Sequence, residues 1–278
     1  MAEVTTPLDQ PTPQTRPAWL LPVLVAGIAV LVIGAWLLNT PEGLLGKADA
    51  VGYAICHRID LRSFYLGDRQ FPLCARCTGI YLGVLAGLVT LIGLGRTRAG
   101  GLPSVRILVV LLGFIAVMGV DGVNSYLTLF RGLPHLYEPN NTLRLITGTL
   151  NGITLAALVY PVYNQTLWQS WEDRPVLGRW RELALIVGMG VIVIGLILSD
   201  NPTVLYPLAL LSAVGVVILL TLLDTVIVLL VVRRANRVTH WTGALVPLLT
   251  GLTLAMLQIG LVDLARFALF GTWDGLHL

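Results

Sequence analysis

The sequence predicts an all-α protein, a polytopic transmembrane helical bundle of about seven spans. Two observations carry this. Hydrophobic residues make up 56% of the 278 residues and charged residues only 12%, against roughly 25% charged in a soluble domain. A surface that poor in charge does not meet water over most of its area. The apolar residues also fall in continuous runs of about 20, the length of helix that crosses a hydrocarbon core. A transmembrane barrel would instead alternate apolar and polar residues along short segments. Backbone polar groups in lipid must be satisfied internally, which leaves helices.

Residues 1–18 are polar and rich in Pro and Thr, with Glu3 and Asp9 and no basic stretch. They read as a disordered tail rather than a cleaved signal, so the first apolar run is expected to stay as a helix. The runs cover approximately residues 19–38, 78–95, 107–130, 143–163, 183–199, 204–232 and 243–270. The last two are long enough to tilt or to project beyond the bilayer. Trp19, Trp36, Trp180 and Trp241 fall near the ends of runs, where an aromatic belt sits. Gly79, Gly83 and Gly87 recur at four-residue spacing in the second run, as do Gly148 and Gly152 in the fourth. Small residues so spaced let helix backbones approach closely, here within one bundle in preference to a homodimer. The expected organisation is a tail (1–18), a first helix and linker (19–43), a motif-bearing core (44–163) and three further spans (164–278).

Basic residues outside the runs set the orientation. Arg16, then Arg96, Arg98 and Arg106, then Arg174, Arg179 and Arg181, then Arg233, Arg234 and Arg237 fall on one side. The other side has Arg131 and Arg144 at one connection and no basic residue in 199–203. This predicts a plasma-membrane protein with its N-terminus in the cytoplasm. The loop 39–77 then lies outside, although it carries Lys47, Arg58, Arg62, Arg69 and Arg76. Those charges cluster in a chemical motif that gives them another use. The net charge of +3 is small and gives no case for nucleic-acid binding. No nucleotide-binding loop or protease signature is visible, which argues against primary transport and zinc-motif proteolysis.

The motif reads Cys56-His57-Arg58, Arg62-Ser63-Phe64, then Pro72-Leu73-Cys74-Ala75-Arg76-Cys77-Thr78-Gly79, and it holds all three cysteines of the chain. Cys74 and Cys77 open the second run. If that turn is helical their thiols share one face, at a positive helix end with Arg76 between them, and both effects favour thiolate. Three readings follow. The leading one is a metal site with Cys56, His57, Cys74 and Cys77 as ligands, a set that suits tetrahedral zinc. Adjacent Cys56 and His57 point apart, so one can ligate while the other does not. The second is thiol–disulfide exchange coupled to a quinone, since Cys-x-x-Cys at the head of a membrane helix is similar to that of membrane disulfide-generating oxidoreductases. Those carry a second cysteine pair, which this chain lacks. The third is phosphate chemistry on the Cys-x5-Arg spacing from Cys56 to Arg62, against which stands the absence of glycine between them. The bland alternative is a set of thiols that staples the loop.

The arginines admit two uses. Arg58, Arg62, Arg69 and Arg76 outnumber Asp60 and Asp68 here. They can bind an anionic small molecule or lipid headgroup, or pair with carboxylates of the bundle. Asp121 and Asn124 in the third run and Arg144 and Asn151 in the fourth lie at compatible depths. An Asp121–Arg144 ion pair between helices is the plain reading. A transporter or lipid-binding protein would instead line a polar cavity with these four residues. Asp263 and Arg266 are spaced for an intrahelical pair. Asp224 is expected to reach Arg233, Arg234 or the interface, and His135 to be a solvated loop residue or an extra ligand.

These residues also carry a resemblance. Cys-His-Arg, then Cys-x-Arg-Cys-x-Gly, then Asp121-Gly122, Asn141, Arg144, Thr147-Gly148 and Gly152 resemble an uncharacterised family of small predicted prokaryotic membrane proteins, a domain of unknown function. The resemblance covers roughly residues 50–160. It implies that the loop and the Asp121/Arg144 positions belong to one site, and it implies no activity. The expected site therefore has Cys56, His57, Cys74 and Cys77 as metal ligands, with zinc the expected metal. Around them stand Arg58, Arg62, Arg76, Asp121, Asn124 and Arg144 as supporting or ligand-contacting residues.

Overall fold

The computed structural model describes residues 19–128 and 134–275. The tail 1–18, with Arg16, and the connection holding Arg131 lie outside the described residues. Seven helices are long and apolar enough to cross a membrane. They are α1 (Leu20–Asn39), α3 (Ala75–Gly93), α4 (Val105–Leu127), α5 (Asn141–Leu167), α6 (Trp180–Leu198), α7 (Pro202–Val231) and α8 (Trp241–Phe270). Their positions follow the apolar runs to within about four residues. The chain is a multi-pass, all-α membrane protein.

What the apolar runs did not reveal lies between α1 and α3. Residues 39–77, expected as a loop, contain a further helix, α2 (Gly43–Ile55), and an antiparallel hairpin of β1 (Ser63–Leu66) and β2 (Arg69–Cys74). At 13 residues α2 is too short to span. At the opposite end of the bundle β3 (Ala99–Gly101) pairs in parallel with β4 (Glu172–Pro175).

The bundle is built around α3 and α5. Gly79 and Gly83 lie against the backbone of α5 at Leu145 and Thr149, and Gly148 and Gly152 lie against the backbone of α3 at Arg76 and Ile80. A Cβ at any of these positions would overlap main chain, so the glycine spacing is used inside the molecule, as expected. Most leucines and valines of α1, α4 and α6 face outward, as lipid contact requires.

Three sequence expectations change here. Trp36 is not part of an interfacial belt: it is buried, and its indole N–H donates to Asp263 Oδ2 at 2.9 Å, tying α1 to α8. Arg266 does not pair with Asp263. It reaches back to the carbonyls of Tyr53 and Cys56 and stacks over the Tyr53 ring, because α8 ends beside α2. Asp224 does not reach the basic residues after α7 either; it accepts from Gln258 Nε2 of α8 at 3.0 Å. In each case a facing helix supplies the partner, which spacing along one helix cannot show.

Candidate metal centre and its arginine-lined cavity

The site begins with a close approach of backbones. Gly52 in the last turn of α2 lies against the carbonyl of Pro72 in β2, where a Cβ would collide with main chain. This contact sets Cys56, which follows the end of α2, beside Cys74, two residues past Pro72. The Cys56 N–H caps α2 by donating to Gly52 O at 2.8 Å. Cys74 in turn caps α3 at its N-terminus, and Cys77 follows one turn later. The three sulfurs all lie within 4.8 Å of one another. All three cysteines are free, with Cys56 buried and Cys74 and Cys77 half-buried over an apolar floor that includes Leu73, Val216 and Ile259.

The Cys56 sulfur is treated as an anion by its surroundings. The backbone N–H groups of Arg58 and Cys74 both donate to it, each at 3.4 Å. Arg58 adopts φ 50°, the left-handed region that residues other than glycine seldom enter, and this turn brings its N–H back toward Cys56. Thiol donation from Cys74 and Cys77, with those two N–H groups, holds Cys56 well below the ordinary thiol range despite burial. The same sharing pushes the donating Cys74 thiol up to about 11.

His57 is exposed and lies outside the converging sulfur group, although it lines the same cavity. Neighbouring residues on extended backbone point apart, as the sequence indicated. The cavity above the sulfurs measures about 190 Å³ and is walled by Arg58, Arg62, Arg76 and Arg144 together with Ile55 and Ile59. Arg58 pairs with Asp49 at 3.1 Å, and Asp49 also holds Arg69 at 2.5 Å. Arg76 pairs with Asp121, donating through both Nε and Nη2, and reaches Ser125 Oγ at 3.0 Å. Asp121 also accepts from Tyr137 at 2.8 Å and Thr147 at 3.3 Å.

The expected Asp121–Arg144 ion pair is therefore replaced by Asp121–Arg76, with the arginine of the cysteine motif as partner. Arg144 donates to Asn141 Oδ1 at 2.8 Å. Asn124 is occupied with the loop before α5, donating to Tyr137 O and accepting from Leu136 N. Asp121 thus holds Arg76 on the wall from behind, Asn124 ties down the loop before α5, and Arg144 lines the cavity. His135 sits apart, 2.8 Å from Glu138.

Residues 56–158 match the family described as predicted membrane protein (DUF2085). The chain is 31% identical over 123 residues to an uncharacterized protein of Methanocaldococcus jannaschii, covering 44% of this chain and 72% of that one. It is 37% identical over 106 residues to an uncharacterized protein of Methanothermobacter thermautotrophicus, covering 37% of this chain and 83% of that one. The chain belongs to the DUF2085 family. No solved structure matches it significantly. The DUF2085 region holds the three cysteines, Arg58, Arg62, Arg76, Asp121, Asn124 and Arg144.

Several contributors lie outside that region and were not singled out from sequence. Asp49 on α2 neutralises Arg58. From the segment after α8, the Trp273 carbonyl accepts from Arg58 at 3.3 Å, and Gly275 lies against the Arg58 backbone. Asp49 was detectable as an acid seven residues before Cys56; Trp273 carried no signal.

Proposed function

We propose that this protein is a membrane metal-binding protein whose metal, most suitably zinc, is held by Cys56, Cys74 and Cys77. The observation that carries this reading is the mutual convergence of three sulfurs within 4.8 Å. A disulfide needs two sulfurs, whereas a thiolate metal site needs several aimed at one point. Support comes from the two N–H donors on Cys56, which favour an anionic sulfur there. Three protein ligands leave a tetrahedral ion one open position. The cavity borders all three cysteines, so that position would face it. His57 on the cavity wall completes the set only by moving toward the sulfurs.

The distribution of arginine outside the spans supports an orientation with the α2–hairpin end outside the cell and the N-terminus in the cytoplasm. An impermeant thiol reagent, applied to intact cells after reduction and metal removal, is expected to label Cys56; labelling only in permeabilised cells would reverse this orientation. The competing reading, thiol–disulfide exchange with a quinone, uses the same sulfurs. Elemental analysis with free-thiol counting on purified protein separates them. One metal per chain, lost in Cys77→Ser, is the expected result. Metal-free protein carrying a quantitative disulfide would establish the redox reading instead.

A further inference from the structure

Among the described residues, two of the four cavity arginines pair with a carboxylate. Arg58 has Asp49 and Arg76 has Asp121. Arg62 donates to the backbone carbonyl of Ser125 at 2.9 Å, and Arg144 to the neutral side chain of Asn141. Neither pairs with a carboxylate among the described residues. Arg144 is the more telling: it is 6% exposed, and its buried Nε has no hydrogen-bond partner among the described residues. Burying a guanidinium without a counter-charge is costly, and more so beside a bilayer. A group that answers both arginines removes that cost.

We propose that the cavity is a receptor for a phosphate-class oxyanion, bound between Arg62 and Arg144 and presented to the open position of the thiolate-bound metal. The contact to metal rests on the metal reading above; the arginine contacts do not. The planar guanidinium fork matches phosphate oxygens. Two guanidiniums that no described carboxylate answers favour an anion with enough oxygens to accept from both, as a phosphate group has. The size agrees. About 190 Å³ is below the roughly 300–1,000 Å³ of pockets that enclose whole drug-sized ligands. The cavity therefore takes a small ion or the head of a larger molecule. Free phosphate and a lipid phosphate monoester share this chemistry, and the site lies at a membrane face where either is available.

The test uses the full chain in a maltoside detergent and phosphate-free buffer, with metal content measured on the same sample. Equilibrium dialysis with radiolabelled inorganic phosphate forms one arm, and mixed micelles containing phosphatidic acid form the other. One phosphate per chain is expected, weakened about tenfold or more in Arg144→Gln and in Arg62→Gln. The more accessible Arg62 serves if Arg144→Gln does not fold. Arg181→Gln, exposed in the first turn of α6 and not on the cavity wall, should leave binding unchanged. On cobalt-substituted protein, phosphate should also shift the visible spectrum. Binding of phosphatidic acid alone, with the same arginine dependence, would assign the source to a lipid headgroup. Metal-loaded protein that binds neither, or binds acetate in preference, overturns the inference and leaves the metal reading intact. Metal-free protein that still binds phosphate through Arg144 does the reverse.

Discussion

Replacing Asp121 by Asn removes the carboxylate that Arg76 answers and leaves the guanidinium over the thiol cluster. Asp121 is 2% exposed and Arg76 19%. Removing one partner of a buried ion pair costs about 3–5 kcal/mol. Arg76 retains Ser125 Oγ and a route to the cavity, so the lower end, about 3 kcal/mol, applies. For a chain of this length, roughly 2 °C is lost per kcal/mol, which places the unfolding midpoint about 6 °C lower. Differential scanning fluorimetry in detergent reads this directly. Arg76→Gln combined with Asp121→Asn should be less damaging than the sum of the single changes, because no unpaired charge remains. A midpoint within about 1 °C of wild type, or strictly additive losses, would refute the claim that this pair fixes α3 to α4 above the site.

Other consequences follow from particular contacts. Gly52→Ala puts a methyl against the Pro72 carbonyl and should lower metal affinity about 10–100-fold, as loss of a supporting contact does, with every cysteine intact; a competitive chelator titration measures it, and unchanged affinity would detach the Gly52 contact from the cluster. Trp36→Phe strips the N–H donor from the buried Asp263 carboxylate and should destabilise the protein by about 1–3 kcal/mol, read by thermal unfolding; no loss would undock α1 from α8. Metal binding displaces thiol protons, so affinity rises with pH. The Cys74 thiol, pushed up to about 11, is protonated at neutral pH, and its displacement alone should strengthen binding about tenfold per pH unit between about pH 6 and 8. A flat profile would show that binding displaces no thiol proton, against a protonated Cys74 in the metal-free protein.

The spans were legible because lipid demands continuous apolar helices, and Cys-x-x-Cys at the head of the second run announced itself. Helix α2 was hidden for the complementary reason. Its sequence from Gly43 to Ile55 is too short to span and carries no strong caps, so it passed for loop. The identity of ion-pair partners was hidden by rotation. Depth along a helix can be counted from sequence, and it placed Asp121 level with Arg144. The direction each side chain faces is set by packing, and the glycine-lined crossing of α3 on α5 turns Arg76 toward Asp121 instead. The same geometry frees Arg144 for the cavity. Trp36 and Arg266 were misassigned in the same way, each finding its partner on an element distant in sequence.

X-ray absorption at the metal edge of the purified, metal-loaded protein reads the ligand atoms themselves. Sulfur scatterers at about 2.3 Å from Cys56, Cys74 and Cys77 are expected, joined by one lighter atom at about 2.0–2.2 Å, with sulfur lost in Cys77→Ser. A shell of nitrogen and oxygen only, unchanged by that substitution, would contradict it.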